Sequence, residues 1–117
     1  MSPSGRVATS INQGSLDGIS SRLKIAGSDG VIEFDEVLAD AGYLELAFLG
    51  EDLLVRYSDT TQPDVSGLLR LASSGETLWD TTVPGGTGHL AVDGEHVWLA
   101  SDRLMVFNVE SGELESE

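Results

Sequence analysis

Two histidines, a surplus of carboxylates and one glycine-rich loop are the parts of this 117-residue chain that could do chemistry. His89 follows the loop Gly85-Gly86-Thr87-Gly88, and His96 follows a turn at Gly94. A nucleophilic site needs a serine held by a histidine that a carboxylate orients. Serine and aspartate are so frequent here that chance pairings are expected. The strained G-x-S-x-G elbow is missing, because Gly14-Ser15-Leu16-Asp17-Gly18 has the wrong spacing. His96 precedes Val97, so in an alternating strand it points away from the apolar face. Both histidines therefore read as structural or solvent-facing groups, and no catalytic residue is assigned.

The glycine loop fails as a phosphate cradle for a related reason. A Walker loop ends in Lys-Ser or Lys-Thr and leads into a helix. Here it leads into HLAVD, a strand pattern without lysine, so it reads as a connector. The same sequence gives a dinucleotide no helix N-terminus. Asp29, Asp35 and Glu36 lie near one hairpin, and Asp59 and Asp64 share one loop. Neither group has the alternating ligand spacing of a calcium loop. No metal site and no cofactor is assigned, and weak, diffuse association of inorganic cations is expected. A glycosidase-type carboxylate pair depends on spatial separation and stays open. With no cysteine, disulfides and thiolate ligands are ruled out.

Twenty Asp and Glu against six Lys and Arg give a net charge of −14. Eight carboxylates and no cation lie between Lys24 and Arg56. That field repels nucleic acid and anionic membranes. Aromatic residues are not interleaved with basic ones, which also argues against single-stranded nucleic acid. Lys24 is the only lysine. A carboxylate-rich, lysine-poor surface resembles proteins of salt-loving microbes, in which salt screens the self-repulsion. The alternative is an acidic docking face for a basic partner. No apolar run reaches membrane-spanning length, and MSPSGRVATSINQGS has no signal-peptide pattern. A cytoplasmic location is expected.

The elements that must position these residues read as strands. Residues 1–20 are rich in Ser and Gly and read as a flexible arm, with at most a short strand near Val7–Ile11. Residues 21–117 then form one all-β domain. RLKIA (22–26) and VIEFD (31–35) flank a glycine turn. EVLADAG (36–42) is the one candidate helical turn, stopped by Gly42. YLELAF (43–48) pairs with LLVRY (53–57), and DTTQPDVSG (59–67) is a turn-rich loop around Pro63. LLRLAS, ETLWD, HLAVD, HVWLAS and LMVFNV follow as strands. LMVFNV is apolar on both faces, which suits a strand covered on both sides. ELESE is either a weak outer strand or an acidic tail. Trp98 alternates with Val97 and Leu99, and packing between sheets is its expected role.

The chain also repeats itself. LAFLGEDLLVRYSD (46–59) corresponds to LAVDGEHVWLASD (90–102), and each is followed by an apolar strand and a Ser-Gly-Glu step. Blade-like units are placed at about 43–80 and 88–117. Gly50 and Gly94, then Gly75 and Gly112, fall in matching turns, and Trp79 lies four residues after Gly75. The unit resembles the blade repeat of quinoprotein-type and WD-like β-propellers, whose outer-strand tryptophan docks on a neighbouring blade. Ser116 stands at that position in the second unit, a departure. The resemblance implies antiparallel sheets, and two to two and a half units are too few to close a propeller. A small β-sandwich or barrel is the alternative. The quinone is not implied.

The expected function is a non-catalytic binding or assembly module whose partner is a protein or a second copy. Sheet edges and the loops at 59–67 and 83–89 are the expected contacts, with His89, His96, Trp98, Pro63 and Asp64 as candidate partner-binding residues. The alternatives are a small hydrolase or fragment of a larger propeller enzyme, and a domain that senses a small ligand or cation.

Overall fold

A computed structural model of the chain describes residues 2–15, 18–39, 41–59, 65–84, 89–93, 95–100 and 104–116. The protein is all-β, with three antiparallel sheets and none closed into a barrel. Among the described residues, no helix is long and apolar enough to cross a membrane. The first sheet holds β1 (Val7–Ser15), β2 (Gly18–Ala26) and β3 (Ile32–Ala39). The middle sheet holds β4 (Ala41–Leu49), β5 (Asp52–Asp59), β6 (Val65–Leu71) and β7 (Thr77–Pro84). The third holds β8 (His89–Val92), β9 (His96–Ala100), β10 (Leu104–Asn108) and β11 (Leu114–Ser116). In each sheet, strands that follow one another in sequence lie side by side.

Strand alternation divides the core in two. Leu23 and Ile25 of β2 pack with Leu53, Val55, Leu69 and Leu71 of the middle sheet. On the middle sheet's other face, Leu54, Leu68 and Val83 meet Val97, Leu99, Met105 and Phe107 of the third sheet. Among the described residues, the middle sheet is thus covered on both sides, and the outer two on one side each. That geometry explains the near-continuous apolar run in β5 and β6.

A five-residue turn recurs with the same two backbone bonds. Gly30 N–H donates to Gly27 O, and Gly27 N–H to Val31 O; Gly75, Ala72 and Glu76 repeat the pattern, each bond at 2.8–2.9 Å. The last turn is one residue longer: Gly112 N–H donates to Asn108 O, and Asn108 N–H to Glu113 O. Gly30, Gly75 and Gly112 take φ values of +83°, +92° and +74°, a region that a Cβ disfavours.

Three expectations are corrected. Much of the segment read as a flexible arm is strand: β1 pairs along its length with β2. Its start is tied down by Arg6, which is buried and donates to Glu33 Oε1 (2.8 Å), Glu51 O (2.6 Å) and Ser73 O (3.1 Å). The helical turn read at 36–42 is strand at its described residues, 36–39 and 41–42. Glu36–Ala39 extend β3 against β2, because a lone turn offers too few bonds to compete with a ladder. The loop read over 59–67 ends earlier, since Val65–Gly67 pair with Thr82–Pro84. The tail forms β11 on the edge of the third sheet.

Candidate functional site

Cross-strand register places His89, Ala91, His96, Trp98, Ala100, Leu104 and Val106 on one face of the third sheet, opposite Val97, Leu99, Met105 and Phe107. The second set is buried against the middle sheet, and the first faces outward. Trp98 is half-buried on the outward face and does not pack between sheets. Leu104 is 49% exposed. The expectation that LMVFNV is covered on both sides is therefore met on one side only, by Met105 and Phe107.

Asp93 organises the polar end of this face. One of its oxygens accepts the Glu95 and His96 backbone N–H groups at 2.9 and 2.8 Å. The other accepts the Trp98 indole N–H at 3.1 Å. The two backbone N–H groups, then the indole, hold the Asp93 carboxyl below its ordinary range. His96 sits with Nδ1 3.8 Å from Asp93 and Nε2 3.9 Å from Glu115 of β11. Its ring meets Trp98 edge-on, with centroids 6.2 Å apart. Among the described residues, no group of His, Cys, Asp and Glu could hold a metal ion. His89 lies exposed at the start of β8, paired with Ala100, away from the His96 end of β9. His96 and Trp98 are thus brought together, and His89 is not. Pro63, Asp64, Gly94 and the loop 85–88 lie outside the described residues.

Of the residues assigned to the repeat turns, Gly75, Trp79 and Gly112 lie at the junctions between sheets. Trp79 covers Gly112, and its indole N–H donates to Val109 O at 2.9 Å. Arg70, held by Asp52 at 2.7 Å, donates to the same carbonyl at 2.6 Å. The junction between first and middle sheets has the same parts. Phe34 covers Gly75, and Arg6, held by Glu33, reaches Ser73 O. Gly50, with φ of +60°, makes the β4–β5 turn and touches no neighbour in this way. Sequence reasoning missed Phe34, Arg6 and Arg70. Phe34 carried a signal, since it stands four residues after Gly30 as Trp79 does after Gly75. A further link is half-buried: Arg56 Nε donates to Glu45 Oε1 at 3.3 Å, and that oxygen accepts Leu90 N–H of β8 at 3.1 Å.

No family model matches the chain, and neither the curated proteins nor the solved structures yield a match.

Proposed function

We propose that the chain is a non-catalytic binding and assembly module, made of units like propeller blades, whose contact is the outward face of the third sheet. One observation carries this reading. By repeat alignment and strand register, Trp98 and Leu104 occupy the places that Leu54 and Leu68 occupy in the middle sheet. Leu54 and Leu68 are fully buried under a neighbouring sheet. Their counterparts have the same apolar character and, among the described residues, no sheet above them. A contiguous apolar surface rimmed by Asp93, His96 and Glu115 suits a protein partner. The net charge of −14 disfavours nucleic acid and anionic membrane as that partner. On the same reading the carboxylate-rich surface is a solvation device for a salty medium, with loosely associated cations.

The test is site-specific photo-crosslinking in the producing cell, with the probe at Leu104 and a control at Leu78, also exposed but on β7. The reading expects a discrete protein adduct from position 104 and none from position 78. Equal, diffuse labelling from both would remove it.

A further inference from the structure

Resting on that reading of the third sheet, we propose that the face is covered by the outward face of the first sheet of a second copy, joined head to tail. The chain already builds this kind of junction twice, from first to middle sheet and from middle to third. In both, one sheet's outer strand reaches the glycine turn of the next. The first sheet carries the same turn at Gly30, where an added Cβ would meet nothing within 4 Å. It has the receiving surface of a junction with nothing seated on it among the described residues.

Composition of the two end faces agrees. Among the described residues, the exposed large apolar side chains fall on the end sheets and their turns, Leu78 excepted. On the first sheet, Ile11 and Val37 are 56% and 52% exposed. Register puts both on the outward face with Arg22 and Lys24, opposite the buried Leu23 and Ile25. Arg22 and Lys24 are two of the six cations of the whole chain, and Asp35 between them offsets one. The third sheet's face carries Asp93 and Glu115 beside His96. A weakly cationic apolar face thus exists to meet an anionic apolar one, on a chain that is otherwise strongly anionic.

The two faces differ, so the contact is heterologous and propagates to a ring or a filament, not a two-fold dimer. Ser116 stands where Phe34 and Trp79 stand in the internal junctions, so Trp98 and Leu104 carry the contact. Salt strengthens it, because long-range repulsion between the chains is screened while desolvated contacts are screened less.

Sedimentation of the full chain across a potassium chloride series tests this, with Leu104→Glu and Ile11→Glu as variants. Ala91→Glu and Val37→Glu replace them if either fails to fold by circular dichroism. The wild type is expected to exceed monomer mass increasingly with salt, and each variant alone to remain monomeric. An equimolar mixture keeps one good face of each kind and forms a two-chain species and nothing larger. A wild type monomeric at every salt and concentration overturns the proposal. So does an Ile11→Glu chain that assembles like the wild type, since the third sheet would then pair with itself. A photo-crosslink from position 104 into a different protein removes the second copy but keeps the binding face. A crosslink into β1 or β3 of a second copy supports both.

Discussion

The indole of Trp79 lies so close on Gly112 that a Cβ there would stand 2.5 Å from Cε3. Phe34 stands over Gly75 in the same way, with the hypothetical Cβ 2.7 Å from its ring. Each glycine thus serves twice, once for a positive φ and once for close approach. Gly75→Ala and Gly112→Ala should therefore cost more than Gly30→Ala, which has the φ but open space. We expect about 1–2 kcal/mol for Gly30→Ala from backbone strain alone. The other two should exceed it by about 1–3 kcal/mol from overpacking. Urea unfolding of the three variants checks this; equal losses would show that the aromatic contacts contribute nothing.

Trp79 also supplies a hydrogen bond, and its removal can be separated from loss of the ring. Val109 O keeps the Arg70 bond when the indole N–H is gone. Trp79→Phe should cost about 1 kcal/mol. Trp79→Ala, which uncovers Gly112 as well, should cost about 2–4 kcal/mol. Denaturant midpoints read both, and a Trp79→Ala loss no larger than that of Trp79→Phe would contradict the packing role.

Within the middle sheet, the Tyr57 ring covers Gly67 across the ladder, and its hydroxyl donates to Asp80 at 3.0 Å. A Cβ at position 67 would collide with the ring. Gly67→Ala should be destabilising in the wild type and close to neutral in a Tyr57→Ala background. A double-mutant cycle should give a coupling of at least about 1 kcal/mol; additive losses would mean that the ring does not need the glycine.

The site has an acid signature. Asp93 has its folded pKa lowered below the ordinary 3.8 by the Glu95 and His96 N–H groups and the Trp98 indole. A depressed carboxylate gives stability that is complete above the ordinary value and is lost as pH falls through the folded one. Asp93→Asn removes the titration and keeps an acceptor. The stability gap between wild type and variant should be constant near neutrality and shrink below pH 3.8. A gap unchanged down to about pH 2 would contradict this assignment.

Salt should also raise the unfolding midpoint of the isolated chain, because a net charge of −14 opposes compaction until it is screened. Thermal unfolding across a potassium chloride series reads this at dilutions where the chain is monomeric. A flat response would remove the salt-adapted reading of the surface.

Much of the fold was legible because its signals are local. The turns at Gly30, Gly75 and Gly112 and the alternation in RLKIA and HVWLAS act within a few residues. β1 was missed because Val7–Ser15 is weakly apolar, and what holds it is β2 together with the distant Glu51 and Ser73 carbonyls that fix Arg6. EVLADAG was misread because a single candidate turn stopped by Gly42 lies beside a ready ladder. At the candidate site, the alternation of His96 with Val97 gave the direction of the histidine. Trp98 was harder, since a strand residue flanked by Val97 and Leu99 looks the same whether its face meets another sheet or water. The partial exposure of Trp98, opposite the buried Val97 and Leu99, separates the two.

The central claim is that the outward face of the third sheet is covered when chains assemble, and Trp98 reports on it directly. In Trp79→Phe it is the sole tryptophan, as the chain has two. Acrylamide quenching of that variant, measured from dilute to concentrated protein in high salt, follows the face itself. Trp98 is expected to become shielded, with its emission shifted to the blue, over the concentration range in which the sedimenting mass rises. Trp98 that stays equally open to quencher while the mass rises would contradict the claim.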